Sequence, residues 1–276
     1  MNRIDAHQHF WQFDPVRDNW ITDDMSVIQK DFLPENLKPV LDKNGIDGSV
    51  AVQASQSEKE TEFLISLAEK NSYIRGVVGW VDLQAGDITE RLAKYKSIPV
   101  IKGFRHVLQG ETQRDLMLQP SFKRGIAALQ QFGFTYDILI FPDQLKFCRE
   151  LVAAFPNQKF VIDHLAKPGI KQGEIAEWQN EMNLVAAYPN VYCKISGMVT
   201  EADWKNWKEE DFKPYLDVVV NAFGIKRIMC GSDWPVCLLA GSYEKIMGIV
   251  VNYFSGFTAE EQDQVFGLNA KHFYEL

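Results

Sequence analysis

Two histidines near the start of the chain, His7 and His9, have a spacing that suits a β-strand. Side chains two residues apart point to the same face of a strand, whereas on a helix they point in different directions. Asp5 has the same register, so the alternation predicts all three on one face. Ile4 and Ala6 are expected on the other face. Because a buried polar group without a partner costs about 1–3 kcal/mol, the pair is a candidate site. A His-x-His pattern by itself fits a structural role equally well.

The composition is that of an ordinary globular protein with enough apolar material for a substantial core. Of the 276 residues, 46% are hydrophobic and 24% are charged. The formal net charge of −8 argues against a nucleic-acid surface or an anionic membrane patch. The four cysteines form no C-x-x-C pair, which favours a reduced, cytoplasmic setting. We expect no signal peptide, because no charged and then apolar leader precedes the first strand.

Short apolar runs alternate with longer helical patterns along the whole chain. The predicted strands are 3–9, 47–54, 74–81, 100–106, 134–140, 159–164, 191–196 and 226–233. The predicted helices are 34–43, 58–70, 88–95, 121–131, 144–154, 174–187, 212–222, 243–253 and 259–266. About eight such units predict an α/β fold, a (β/α)₈ TIM barrel formed by residues 1–276 as a single domain. No Gly-x-Gly-x-x-Gly follows the first strand, which disfavours a dinucleotide-binding fold.

Polar residues are concentrated at the carboxyl ends of the predicted strands, where the active site of such a barrel forms. Four of the five histidines are among them, and the fifth, His272, is placed in the C-terminal tail. Asp233 is the strongest candidate, because Gly-Ser-Asp-Trp-Pro at 231–235 ends the last strand with an acid at the barrel mouth. In chain order, the polar strand-end residues are His7, His9, Gln53, Ser55, Arg105, His106, Tyr136, Asp137, His164, Lys194, Ser196 and Asp233.

Several of these residues also have a structural interpretation. His106 fits a solvated loop, and Lys194 fits a side chain that extends along a helix to solvent. Tyr136 fits a core ring with a satisfied hydroxyl. Asp163, in opposite register to His164, is expected to be a structural hydrogen-bonding group.

Five segments together resemble the amidohydrolase superfamily, and within it the branch of sugar-lactone and pyrone-dicarboxylate lactonases. They are DAHQHFW at 5–11, GFRHVLQ at 103–109, VIDHLAKP at 161–168, CKISGMVTEA at 193–202 and GSDWPV at 231–236. The segments span nearly the whole chain and are most similar to L-fuconolactonase-like members. The resemblance implies a TIM barrel and a hydrolase that opens a sugar lactone to its sugar acid.

The sequence departs from the binuclear members of that superfamily at two positions. Those members have a bridging lysine or glutamate at strand four and a histidine at strand five, where this chain has Arg105 and Tyr136. A binuclear metal site is therefore not expected. Related pyrone-dicarboxylate lactonases work without a metal, so the resemblance implies that no cofactor is required. The alternative is a single Zn²⁺ bound by His7, His9 and Asp233, either alone or together with His164.

Lactone hydrolysis needs a base for water, a polarised carbonyl and a stabilised oxyanion. Asp233, with an ordinary or raised pKa, is the predicted base. His7, His9 and His164 are predicted to polarise the carbonyl, directly or through a metal. Arg105 is predicted to stabilise the oxyanion or to hold a substrate oxygen. The predicted substrate-binding residues are Gln53, Ser55, His106, Tyr136, Lys194, Trp11 and Trp234.

Two other functions fit the same residues. A metal-dependent decarboxylase in a related barrel shares the His-x-His, the strand-six histidine and the strand-eight aspartate. A sugar-acid-binding barrel that has lost catalysis would bind such ligands without hydrolysing a lactone. The expected partner is a small sugar lactone, with no nucleic acid and no membrane. The particular sugar, the ring size and the oligomeric state are left open.

Overall fold

Eight parallel strands, hydrogen-bonded to one another in chain order, form the centre of the molecule. The computed structural model describes residues 3–276. The strands are β1 (Ile4–Gln8), β2 (Gly48–Val52), β3 (Ile74–Gly79), β4 (Ile101–His106), β5 (Thr135–Ile138), β6 (Phe160–Ile162), β7 (Val191–Ile195) and β8 (Ile228–Cys230). The α-helices are α1 (Pro34–Lys43), α2 (Glu58–Lys70), α3 (Ile88–Tyr95), α4 (Pro120–Phe132), α5 (Leu145–Ala154), α6 (Ala176–Ala186), α7 (Glu209–Phe223), α8 (Tyr243–Tyr253), α9 (Ala259–Asp263) and α10 (Asn269–Tyr274).

The sheet closes on itself just beyond the ends of β1 and β8. The Asp233 amide donates to the His7 carbonyl at 2.8 Å, and the His9 amide donates to the Trp234 carbonyl at 2.7 Å. Parallel neighbours joined by helices, together with this closure, define a nearly closed TIM barrel. The predicted (β/α)₈ architecture is confirmed.

Apolar side chains fill two layers, one inside the barrel and one between the strands and the helices. The strands are buried on both faces, which is why they appear in the sequence as continuous apolar runs. The inner layer contains Ile4, Val50, Val161 and Met229, together with Phe273 from α10, which packs against them. No helix in the described range, 3–276, is both long and apolar enough to cross a membrane.

Two helices differ from the sequence prediction by more than two residues at one end, each for a local reason. Helix α7 begins at Glu209, because acidic residues favour a helix N-terminus and the Asp211 carboxylate accepts from the Lys208 amide at 2.8 Å. The last predicted helix, 259–266, continues through a π-helical turn over Gln264–Leu268 into α10. His272 therefore lies on a helix and not in a tail.

The predicted alternation of β1 is wrong for Asp5, and also for Ile4 and Ala6, which belong to the inner layer on the side that His7 faces. The pairing of β1 with β2 is irregular between Asp5 and Gln8, so strict alternation fails there. Asp5 turns outward towards α8, where it accepts from Ser232 Oγ at 2.6 Å, from the Ser232 amide at 2.9 Å and from Tyr243 Oη at 3.1 Å. His7 points into the barrel, and the fully buried Asp5 ties the first strand to the segment after β8.

Asp5→Ala should lower the free energy of unfolding by about 2–4 kcal/mol, because it leaves buried donors on Ser232 and Tyr243 without an acceptor. Urea unfolding measures the change. The matched control is Asp23→Ala on an exposed turn, expected within about 0.5 kcal/mol of the parent. Equal effects of the two substitutions would contradict a role for Asp5 in closing the barrel.

Candidate active site

A cavity of about 420 Å³ opens at the carboxyl ends of the strands. Five of the predicted site residues line it: His9, Ser55, Arg105, His164 and Asp233. The fully buried His7 lies directly below, with its Nε2 atom 3.4 Å from Arg105 Nη1. The barrel therefore brings the predicted catalytic residues together at one place.

Three histidines surround the carboxylate of Asp233, and we call these four residues the histidine–aspartate cluster. The Asp233 Oδ1 atom is 3.2 Å from His9 Nε2, 3.8 Å from His7 Nε2 and 3.9 Å from His164 Nε2. The Nε2 atoms of His7 and His9 are 3.2 Å apart. Four polar side chains, from β1 and from the segments that follow β1, β6 and β8, thus converge on a single point at the floor of the cavity.

Buried partners fix the far side of two of these rings. His9 Nδ1 lies 2.7 Å from the Val52 carbonyl oxygen, which can only accept, so this nitrogen carries a proton and the ring directs Nε2 towards Asp233. His164 Nδ1 lies 2.9 Å from Ser196 Oγ, which directs its Nε2 towards Asp233. Burial lowers the pKa of His164 to about 4 and lowers that of His7 well below its usual value. Both rings are therefore neutral at pH 7.

Asp233 is ionised at neutral pH, and its pKa lies well below the usual range. Burial raises the pKa of this carboxyl, but the attraction of His164, followed by that of His9 and His7, outweighs the burial. The expectation of an ordinary or raised pKa is thus wrong. The low pKa arises because the three rings lie so close to the carboxylate.

The backbone around the cluster adopts conformations that side chains other than glycine rarely take. His164 to Lys167 form four successive left-handed residues, with φ between 52° and 56°, and Asp233 has φ 58°. Such residues cost on the order of 1 kcal/mol each and persist where surrounding contacts hold them. Gly197 leaves room for this turn, because a Cβ atom there would lie 2.4 Å from His164 Nδ1. The left-handed turn directs His164 into the cavity.

Charged residues below the cavity form a buried network. Arg105 Nη1 donates to Asp163 Oδ2 at 3.0 Å, and Lys194 Nζ lies 2.6 Å from Asp137 Oδ2 and 3.0 Å from Asp163 Oδ1. Lys194 is fully buried under His7, so neither the predicted substrate contact nor the alternative of a solvent-exposed amine is correct. Asp163 has the predicted structural role, as a member of this network.

Four further residues that the sequence predicted to bind substrate are instead engaged in contacts with neighbouring residues of the protein. Tyr136 points away from the barrel interior and packs on Phe122 of α4, since Asp137 takes the inward position on β5. His106 Nε2 pairs with Glu111 Oε1 at 2.7 Å. The Gln53 side chain bonds across the sheet to the Arg105 carbonyl at 3.2 Å. A fourth residue, Trp234, packs on Phe10 and Phe32.

Trp11 also lies behind the cavity wall. Its indole Nε1 donates to the Lys30 carbonyl at 2.9 Å, and its ring packs on Phe32 and Trp20. Trp20, with 39% of its surface exposed, is the tryptophan that lines the cavity. Trp11 therefore supports Trp20 and does not itself reach the cavity.

The cavity also contains polar and aromatic residues that the sequence analysis missed. Arg17 and Trp20 come from the long segment between β1 and α1, and Gln56, Gln109 and Lys167 come from the loops after β2, β4 and β6. No periodicity marks these loop residues. The only available signal was position, because each of the three shorter loops follows a predicted strand end.

The donor set of the cluster suits a divalent metal ion. One donor atom each from His7, His164 and Asp233 lie within 4.8 Å of one another. His9 Nε2 lies beside them, 3.2 Å from Asp233 Oδ1. Imidazole nitrogen and carboxylate oxygen are ligands that Zn²⁺ prefers. The expectation that no metal is required stays a prediction.

An eight-stranded parallel barrel with histidines and an aspartate at its strand ends defines an amidohydrolase-type barrel. The family model described as Amidohydrolase matches residues 4–276, and the chain belongs to this family. Two relatives named L-fucono-1,5-lactonase are similar to it along 99% of this chain and 96% of their own: one from Burkholderia multivorans, 38% identical, and one from Burkholderia ambifaria, 35% identical. A solved amidohydrolase from Burkholderia multivorans with bound zinc superimposes with a TM-score of 0.96 at 38% identity, covering 100% of both chains.

Gly197→Ala should reduce kcat/KM by about 10²-fold, because the added methyl group displaces His164 from the cluster. Steady-state kinetics measure the loss. Gly248→Ala on α8 is the matched control, since no heavy atom lies within 4 Å of its added Cβ. The explanation fails if the two alanine variants have the same activity.

Proposed function

We propose that this amidohydrolase hydrolyses a sugar lactone, with L-fucono-1,5-lactone or a closely related aldonolactone as its substrate. The main support is the convergence of an ionised Asp233 with the Nε2 atoms of three histidines at the floor of a sugar-sized cavity. The chain is a lactone hydrolase by its relationship to two L-fucono-1,5-lactonases over nearly its full length. The choice of sugar and the role of each residue belong to the proposal.

The reaction adds water to the lactone carbonyl and opens the ring. Asp233 accepts a proton as the water oxygen bonds to the carbonyl carbon, and the carbonyl oxygen becomes an oxyanion. The Arg105 guanidinium, always charged, lies at the cavity floor and stabilises that oxyanion. The bond between the carbonyl carbon and the ring oxygen then breaks. The proton held by Asp233 returns to the leaving oxygen, which leaves the sugar acid and a free hydroxyl.

A metal ion fits this scheme at the histidine–aspartate cluster. The residues that would hold it are His7, His9, His164 and Asp233. A bound Zn²⁺ would polarise the carbonyl and lower the pKa of water. Because a carboxylate with a low pKa is a weak base, Asp233 is best suited to a site where the water is more acidic than in bulk. The solved amidohydrolase that is 38% identical to this chain contains bound zinc, which supports zinc as the ion.

Loop residues around the cavity supply contacts for sugar hydroxyls. Gln109 Oε1 is buried and meets no hydrogen-bond donor among the described residues, so it is free to accept from a hydroxyl. Ser55 and Gln56 line the same wall. The half-exposed ring of Trp20 offers an apolar face for the carbon skeleton of the sugar. These contacts select a small polyhydroxylated substrate.

The decarboxylase and the binding-only barrel have less support. Both named relatives at 38% and 35% identity are lactonases. The Asp233 carboxylate and the Arg105 guanidinium line one cavity, which brings together the proton acceptor and the cation that hydrolysis requires. Saturable binding of aldonolactones without any acid release would favour the binding-only barrel.

Asp233→Asn should reduce kcat/KM for lactone hydrolysis by at least about 10²–10⁴-fold, because the amide cannot accept the proton from water. A pH-indicator assay of acid release measures the rate. The control is Asp42→Asn on the exposed surface of α1, with activity expected to equal that of the parent. Near-full activity of Asp233→Asn would remove Asp233 from the mechanism.

A panel of L- and D-aldonolactones, assayed with and without a chelator, tests substrate and metal together. We expect the highest kcat/KM with L-fucono-1,5-lactone, a measurable residual rate after chelation and a higher rate when Zn²⁺ is restored. Complete loss of activity on chelation would make the metal a requirement and overturn the sequence expectation. Failure to hydrolyse any lactone in the panel would overturn the proposed function.

A further inference from the structure

The buried side of His7 differs from that of the other cluster histidines, because its Nδ1 atom lies between a donor and an acceptor. Lys194 Nζ is 3.2 Å from His7 Nδ1, and Asp163 Oδ1 is 3.3 Å from the same atom. All three side chains are fully buried. A neutral imidazole can use only one of the two contacts at a time, since Nδ1 either accepts or donates.

In one arrangement Lys194 donates to His7. Its ammonium donates to Asp137 Oδ2 at 2.6 Å and lies 3.0 Å from Asp163 Oδ1, and a further hydrogen is available for His7 Nδ1. His7 then bears its proton on Nε2, which lies 3.2 Å from His9 Nε2. These contacts form a continuous series from Lys194 through both rings to the Val52 carbonyl.

In the other arrangement His7 donates to Asp163. Arg105 occupies Asp163 Oδ2 at 3.0 Å, whereas Oδ1 has no donor with hydrogen-bond geometry within the described chain, although Lys194 lies nearby. A proton on His7 Nδ1 would give this buried carboxylate oxygen its partner. The Nε2 atom of His7 would then present a lone pair to the cluster.

We propose that Lys194 and Asp163 form a tautomer switch under His7, in which the choice of partner decides whether Nε2 offers a proton or a lone pair. With the proton on Nε2, His7 polarises the lactone carbonyl by a hydrogen bond. With the lone pair, it is a ligand for a divalent cation. Between the two states one N–H bond breaks at Nε2 and one forms at Nδ1, so the charge of the ring is unchanged. Lys194 and Asp163 are thus positioning residues that act through His7.

The surrounding charges make both states compatible with a buried site. Lys194 and Arg105 provide two positive charges, and Asp137 and Asp163 provide two negative ones, so a neutral His7 leaves the network balanced. Tyr274 Oη donates to Asp137 Oδ2 at 2.6 Å and holds the carboxylate that pairs with Lys194. The role of His7 towards the carbonyl rests on the proposed function, whereas its role towards a cation does not depend on any substrate.

Zn²⁺ affinity should respond in opposite ways to the two neighbours of His7. Asp163→Asn should weaken Zn²⁺ binding by about 10–100-fold, because the charged acceptor that favours the lone pair on Nε2 is lost. Lys194→Met should leave the affinity unchanged or tighter, because the competing donor is lost. Competition with a chromogenic chelator measures both without any substrate. An equal loss of affinity in the two variants would show a merely structural network and overturn the switch.

Two further variants control for damage to the fold. Tyr274→Phe removes a hydrogen bond of the same network without touching either neighbour of His7, so its Zn²⁺ affinity should equal that of the parent. Lys194→Met combined with Asp137→Asn removes a matched charge pair and replaces the single variant if that one does not fold. A weakened affinity in either control would contradict the proposal.

The tautomer itself is visible in ¹⁵N spectra of the histidine side chains. His7 should show its proton on Nε2 in the metal-free protein and on Nδ1 after addition of Zn²⁺. His9 is the internal control, because the Val52 carbonyl keeps its proton on Nδ1 in both samples. The same tautomer of His7 in both samples would overturn the switch. An enzyme that hydrolyses no lactone but still shows the change would overturn only the proposed function.

Discussion

The closure of the barrel between its first and last strands determines the geometry of the site. Asp5 binds the backbone and side chain of Ser232, and the next residue, Asp233, donates its amide to the carbonyl of His7. These contacts place the Asp233 carboxylate between His7 and His9. A carboxylate that the sequence separates from the histidines by more than 220 residues becomes their neighbour because the sheet has no free edge.

The site is held in place at a cost in local backbone energy. The left-handed turn from His164 to Lys167 and the left-handed Asp233 are each unfavourable by on the order of 1 kcal/mol per residue. Contacts on the buried side offset this cost, among them Ser196 against His164 and the close approach of Gly197. Rigid rings whose far nitrogens are already bonded keep their orientation as substrate enters. The strain is therefore part of how the cluster is kept ready for reaction.

Strand order could be predicted from the sequence, because burial on both faces gives each strand a distinct apolar run. Five of the candidate site residues could also be assigned to one cavity, because the carboxyl ends of the strands of a barrel lie on the same side. The same patterns did not show which residues of each strand face the barrel interior and which face the helices. Tyr136 and Asp137 are neighbours at a strand end, and only packing against α4 decides which of them faces outward. A one-residue irregularity in β1 likewise turned Asp5 away from His7.

Long-range pairs were beyond sequence analysis for a different reason. Lys194 looked like a side chain that could reach sugar or solvent, but Asp137 and Asp163 lie on two other strands and meet it only inside the closed barrel. Arg17 and Trp20 lie in a loop whose path depends on the aromatic packing beneath it. Neither periodicity nor composition predicts these long-range contacts, because they arise from tertiary packing.

The pairing of Asp5 with Ser232 also has a consequence for the order of folding. Contacts between residues this far apart in the chain carry a large loop-closure entropy and form late. His7 and His9 belong to the first strand, and Asp233 follows the last. The cluster is therefore assembled only when the ring of strands is complete, and partly folded chains with seven paired strands have no working site.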